Sequence, residues 1–139
     1  MEVEEFLDRA NAALTIGGEK ARRMRLTKVW GCFGLILDEE GQELVIMGRF
    51  LNPEADQGTA TSLYSAIALS KMAESALSPD GANTPAFDRE KHHGATGYRG
   101  GGRRGEIVFG VSGAKGEEDF AVGAAMSSAF RFQKVAGYD

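Results

Sequence analysis

A single cysteine, Cys32, excludes an internal disulfide, and its place in the uncharged stretch VWGCFGLIL makes it a small buried hydrophobe. The only two histidines, His92 and His93, cannot build a three-residue His/Cys zinc site with that one cysteine unless carboxylates or a second chain take part, so no metal site is expected. No apolar run is longer than the nine residues 29–37, well short of the about 20 that a membrane helix requires. The start, Met1-Glu2-Val3-Glu4-Glu5, is acidic where a secretory signal would be basic, so a cytoplasmic protein without a membrane partner is expected. Basic residues are in the minority, 16 against 20 acidic ones, and the net charge of −4 argues against the broad basic face of a nucleic-acid binder.

What the chain has in excess is glycine. Nineteen glycines in 139 residues are about twice the usual share, while only three prolines occur, which points to tight turns and close backbone approaches. With 42% hydrophobic and 26% charged residues, the composition is that of one globular domain spanning residues 1–139.

Apolar residues at Val3, Phe6, Leu7, Ala10, Ala13 and Leu14 recur at helical spacing behind an acidic first turn. Gly17 and Gly18 are expected to weaken or kink this helix, which resumes through Ala21 and Met24 and ends in the basic group Lys20, Arg22, Arg23, Arg25 and Lys28. Residues 29–37 and 44–50, separated by Asp38-Glu39-Glu40-Gly41, read as a β-hairpin with a well-buried first strand. Residues 58–77 read as a helix in which only Lys71 and Glu74 are charged.

From residue 78 to 105 the periodicity disappears. The stretch holds two prolines, both histidines and seven glycines; it reads as a long loop of the kind that carries function, with room for one or two short strands in 85–105. Residues 106–113 form a third apolar strand, and Glu117-Glu118-Asp119 opens a last helix running to about Phe132. Two nearly uncharged helices, at 59–77 and 120–132, are more covering than one small sheet needs, so burial between subunits of a homo-oligomer is expected.

Several motifs carry candidate chemistry. Gly100-Gly101-Gly102-Arg103-Arg104-Gly105 matches GxGxxG but precedes a strand, whereas a dinucleotide fingerprint must follow one and open a helix. A flexible loop, or an anion-binding loop using Arg99, Arg103 and Arg104, are the readings left. At Ser112-Gly113-Ala114-Lys115-Gly116 the following acidic triplet already occupies the positive end of the helix, which favours capping over phosphate binding. Ser112 as a nucleophile with His92 or His93 and Asp119 has no GxSxG elbow to support it. Glu2 and Glu5 have metal-capable spacing, but acidic helix starts are common.

Taken together, the motifs resemble the GlcG/HbpS-like family of small haem-binding proteins. Leu35-Ile36-Leu37-Asp38-Glu39-Glu40-Gly41 with Arg49 is similar to that family's strand, Asp-x-x-Gly turn and following Arg. The segment 66–76 with Lys71 resembles its Ala-rich helix, and Gly110-Val111-Ser112-Gly113-Ala114 followed by Glu118-Asp119 is similar to its Gly-Val-Ser-Gly-Ala turn and acidic helix start. The resemblance implies a profilin-like α+β fold, an antiparallel sheet backed by helices, in a symmetric oligomer concerned with haem or iron. The family's usual Gly-Gly-x-Pro-Ile segment is replaced here by Gly100-Gly101-Gly102-Arg103-Arg104.

The loop 89–105 is therefore the candidate ligand site. Arg99, Arg103 and Arg104 are expected to grip the carboxylates of haem or a related anionic small molecule, with Arg89 and Lys91 adding positive charge. His92 or His93 is a candidate axial ligand, and Tyr98 a further contact. The alternative is an enzyme or accessory protein acting on a small carboxylate or phosphate metabolite, with His93, Tyr98 and Arg103 as its available groups.

Overall fold

The computed structural model describes residues 1–53, 61–77 and 101–132. Its elements are helix α1 (Val3–Arg23), strands β1 (Trp30–Ile36) and β2 (Leu44–Phe50), helix α2 (Thr61–Leu77), strands β3 (Gly101–Arg104) and β4 (Ile107–Ser112), and helix α3 (Gly116–Phe132). The strands form one antiparallel sheet in the order β2-β1-β4-β3. Helix α2 covers one face of this α+β architecture, and α1 and α3 pack side by side on the other.

The alternation of side chains along each strand assigns them to the two layers. Phe33 and Leu35 of β1 and Ile107, Phe109 and Val111 of β4 meet Phe6, Ala10 and Leu14 of α1 and Val122, Met126 and Phe130 of α3. Cys32 and Ile36 of β1 and Val108 of β4 meet Ala68, Met72 and Ala76 of α2. Because β1 is buried on both faces, its sequence shows no polar alternation; the edge strand β2 is only half buried.

The hairpin turn explains the spacing Asp38-x-x-Gly41. Asp38 Oδ1 accepts from the backbone N–H groups of Gln42 and Glu43, each at 2.9 Å, and Gly41 takes a positive φ of 72°.

Two expectations need correction. Gly17 and Gly18 do not interrupt the first helix, because tertiary packing overrides their poor intrinsic propensity. Both are buried, and an added Cβ would lie 2.5 Å from Met126 Cγ at Gly17 and 2.5 Å from the Leu51 carbonyl oxygen at Gly18, so the pair lets α1 approach α3 and the chain leaving β2. The second correction concerns residues 100–105. Gly101–Arg104 form β3, paired to β4 in the register Gly101↔Gly110 to Arg104↔Ile107, so this part of the glycine-rich stretch is an edge strand and not a loop. It is one of the short strands allowed for in 85–105; residues 78–100 lie outside the described residues.

Glycine also sets the distance between α2 and the sheet. A Cβ on Gly110 would sit 2.1 Å from the Ala68 carbonyl oxygen, a backbone atom that cannot swing aside. Gly110→Ala is expected to destabilise the protein by at least the roughly 1–3 kcal/mol of an overpacked core. Urea denaturation checks this: an unchanged midpoint in Gly110→Ala would contradict the close approach of α2.

Candidate functional site

The most buried charge in the described residues lies where β4 ends and α3 begins. Lys71 of α2 and Asp119 of α3 are 0% and 2% exposed. Lys71 Nζ donates to the Val111 carbonyl oxygen at 2.7 Å and to Asp119 Oδ2 at 3.3 Å, while Asp119 Oδ1 accepts from the Ala114 N–H at 3.1 Å. Beside it, Glu118 Oε1 accepts from the Lys115 N–H at 3.1 Å. The acidic start of the last helix therefore caps its own N-terminal turn, as the sequence suggests.

Burial disfavours the charged form of both partners. It pushes the Asp119 carboxyl up to about 6 against the opposing pull of Lys71, and pushes the Lys71 amine below its ordinary value against the pull of Asp119. Burial likewise raises the Cys32 thiol to about 12, and its Sγ lies 3.6 Å from the Gly110 carbonyl oxygen, so this cysteine is not a nucleophile. Ser112 is buried at the end of β4, and its supposed acid, Asp119, is committed to Lys71 and the Ala114 N–H.

A ligand-sized space opens elsewhere, between α1, α3 and the β3–β4 turn. This pocket of about 290 Å³ has Phe33, Ile107 and Phe130 as its apolar wall and Arg9 and Ser127 as polar lining. The Phe33 and Phe130 rings pack 5.0 Å apart between centroids. Arg9 Nη2 pairs with Glu5 Oε1 at 2.9 Å, which leaves Glu5 committed and removes it from the Glu2/Glu5 pair considered for metal binding. Among the described residues Arg9 Nε is buried without a hydrogen-bond partner. Glu106 at the rim pairs with the Met1 amine at 2.9 Å. The pocket thus presents an apolar surface with one buried donor, Arg9 Nε, in want of an acceptor, and among the described residues its two side-chain ions, Arg9 and Glu106, are already paired.

Of the candidate residues read from the sequence, His92, His93, Tyr98 and Arg99 lie outside the described residues, as do Arg89 and Lys91. Arg103 sits on β3; its Nε donates to the Gly105 carbonyl oxygen at 2.7 Å and its Nη1 to that of Ala76 at 3.2 Å, so it helps to close the C-terminal end of α2. Arg104 ends β3, and its side chain lies outside what is described. Sequence reasoning missed the Lys71–Asp119 pair and the pocket. The available signal for the first was a lone lysine amid the neutral face of a helix; the pocket has none, because its lining comes from four separate elements.

No protein-family model matches the chain, and neither does any curated protein. Among solved structures it is similar to one described as a PduOC:heme complex, with a TM-score of 0.53 and 18% identity over 93% of this chain and 94% of that one. The likeness is one of fold, and it supports the α+β reading over almost the whole length.

The buried pair makes a pH-dependent prediction. Removing the ammonium in Lys71→Met strands the Asp119 carboxylate, at an expected cost of about 3–5 kcal/mol at pH 8. The folded protein holds the Asp119 proton more tightly than the unfolded chain, whose value is near 3.8. This contribution to stability is present at low pH and lost as pH rises through about 6, so the cost of Lys71→Met should shrink at pH 5. Denaturant titrations at the two pH values check it; an equal cost at both would show that Asp119 does not take up the proton.

Proposed function

We propose that this chain is a GlcG/HbpS-like small-molecule binding protein whose ligand is haem or a related anionic compound. The observation that carries this reading is the pocket beside Phe33, Ile107 and Phe130, where an apolar wall meets Arg9 Nε, a buried donor without an acceptor. That combination suits an apolar ring bearing a carboxylate. At about 290 Å³ the pocket is at the lower end of cofactor sites, and it fits the carboxylate-bearing edge of a macrocycle better than a whole one. In this reading His92 or His93 would supply a nitrogen to the iron, with Tyr98, Arg99 and Arg104 as further contacts, whereas Arg103 is held on β3 by the carbonyl oxygens of Gly105 and Ala76. A fold shared with a protein described in complex with heme supports the choice of ligand.

Binding is favoured over catalysis because Arg9 and Glu106 are each already held in an ion pair. The protein is further proposed to act as a homo-oligomer through the neutral faces of α2 and α3. Light scattering should then show an assembly that Ala66→Glu, at an exposed position of α2, dissociates; a wild-type monomer would sink this part of the reading.

Haemin titration of the purified chain tests the ligand. A saturable change in the Soret band is expected, with an altered spectrum in the His92→Ala/His93→Ala double variant. Losing a charge-assisted bond in Arg104→Ala should weaken binding by about 2 kcal/mol, or roughly 30-fold, and Arg103→Ala, where the side chain removed is tied to α2, should not. Because Arg103 also holds the end of α2, a thermal melt of that variant accompanies the titration. The haem reading is abandoned if the Soret band of the wild-type chain does not respond.

A further inference from the structure

A second pocket, of about 310 Å³, lies along the C-terminal half of α1 where the chain leaves β2, and it is chemically unlike the first. Among the described residues its polar lining is Thr15, Arg22 and Arg49, its apolar lining includes Leu14, Phe50 and Pro53, and no carboxylate is part of it. Among the described residues neither guanidinium belongs to an ion pair.

Arg49 is held before any ligand arrives. Its Nη1 donates to Asn11 Oδ1 at 2.6 Å, and its Nη2 donates to the Asn11 carbonyl oxygen and to Thr15 Oγ1, each at 3.0 Å. Thr15 Oγ1 in turn donates to the Asn11 carbonyl oxygen at 3.1 Å, so its hydrogen is used and its lone pairs face Arg49. All of these acceptors are neutral. They fix the plane of the guanidinium without cancelling its charge, and they leave Nε–H and one Nη1–H of its five donors unspent. Holding the fork in advance reduces the entropy lost on binding. Arg22 lies against the same wall, with Nη1 3.4 Å from the position a Cβ on Gly18 would take. Lys20 and Arg23 on the same last turns of α1 keep the local potential positive in a protein of net charge −4.

We infer that this pocket is a binding site for a small organic oxyanion, an apolar stem ending in a phosphate or carboxylate group. The anionic end is taken by Arg22, whose fork can bind either group in a bidentate way, and by single N–H donors of Arg49. The stem lies along Leu14, Phe50 and Pro53. The site is separate from the Phe33–Phe130 pocket and does not depend on haem binding.

Amide chemical-shift titrations of the full chain at constant ionic strength test this, with phenyl phosphate and benzoate as probes and phenol as the uncharged control. The expected result is saturable shifts at Thr15, Gly18 and Phe50 with at least one of the anions and none with phenol. Tighter binding of phenyl phosphate than of benzoate identifies the phosphate as the preferred head, and the reverse order identifies the carboxylate. Arg22→Gln, at an exposed side chain that the fold does not use, should weaken binding at least tenfold. Arg49→Lys should do the same, because the charge stays but the guanidinium braced by Asn11 and Thr15 is lost. Shifts that do not saturate, that persist unchanged in Arg22→Gln, or that centre on Phe33 and Phe130 overturn the proposal.

Discussion

A buried ion pair ties the two helical layers together, and the placement of α3, which lines the first pocket, rests on it. Lys71 comes from the layer of α2 and Asp119 from the layer of α3, and they meet at the end of β4, where Lys71 also takes the Val111 carbonyl oxygen. Stripping water from an ammonium and a carboxylate is costly, and their attraction offsets that cost only when the remaining hydrogen-bonding capacity is filled. Here the Val111 carbonyl oxygen and the Ala114 N–H help to fill it. Asp119 thereby fixes where α3 starts, and about two and three turns further on the same helix presents Ser127 and Phe130 to the first pocket.

Small residues determine how closely the layers lie. Gly110 admits the backbone of α2 at Ala68, and Gly17 and Gly18 admit Met126 of α3 and Leu51 to the opposite side of α1. Among the described residues these glycines therefore serve contact between elements. This accounts for a first helix that stays continuous through two adjacent glycines: each is closed in by neighbours that a larger side chain would displace.

Helix α1 contributes to both pockets, and its charge pattern distinguishes them. Near its N-terminus Arg9 is balanced by Glu5, beside an aromatic wall; near its C-terminus Arg22 and the braced Arg49 stand with no carboxylate among the described residues of their pocket. An apolar body with an acceptor suits the first and an anionic head suits the second. The two surfaces are accordingly selective for different parts of a ligand, or for different ligands.

The order of elements was legible in the chain because period and punctuation act locally. Apolar residues three and four apart define α1, the uncharged run 29–37 defines a strand buried on both faces, Asp38 and Gly41 define the turn, and Glu118 and Asp119 mark a helix start. The sequence alone could also show that Lys71 and Glu74 were the two charges on an otherwise neutral helix and that Arg99, Arg103 and Arg104 were concentrated in one stretch. It could not show that Gly101–Arg104 pair with β4, because a strand of glycine and arginine has no apolar alternation and exists through its partner. Nor could it show where the charges go. Lys71 finds Asp119 across 48 residues, Arg49 finds Asn11 across 38, and Arg103 turns to the end of α2, 27 residues away. Those pairings, and the pockets they shape, depend on which surfaces the packed layers bring together, and hydrogen bonds and ion pairs act only between groups in direct contact.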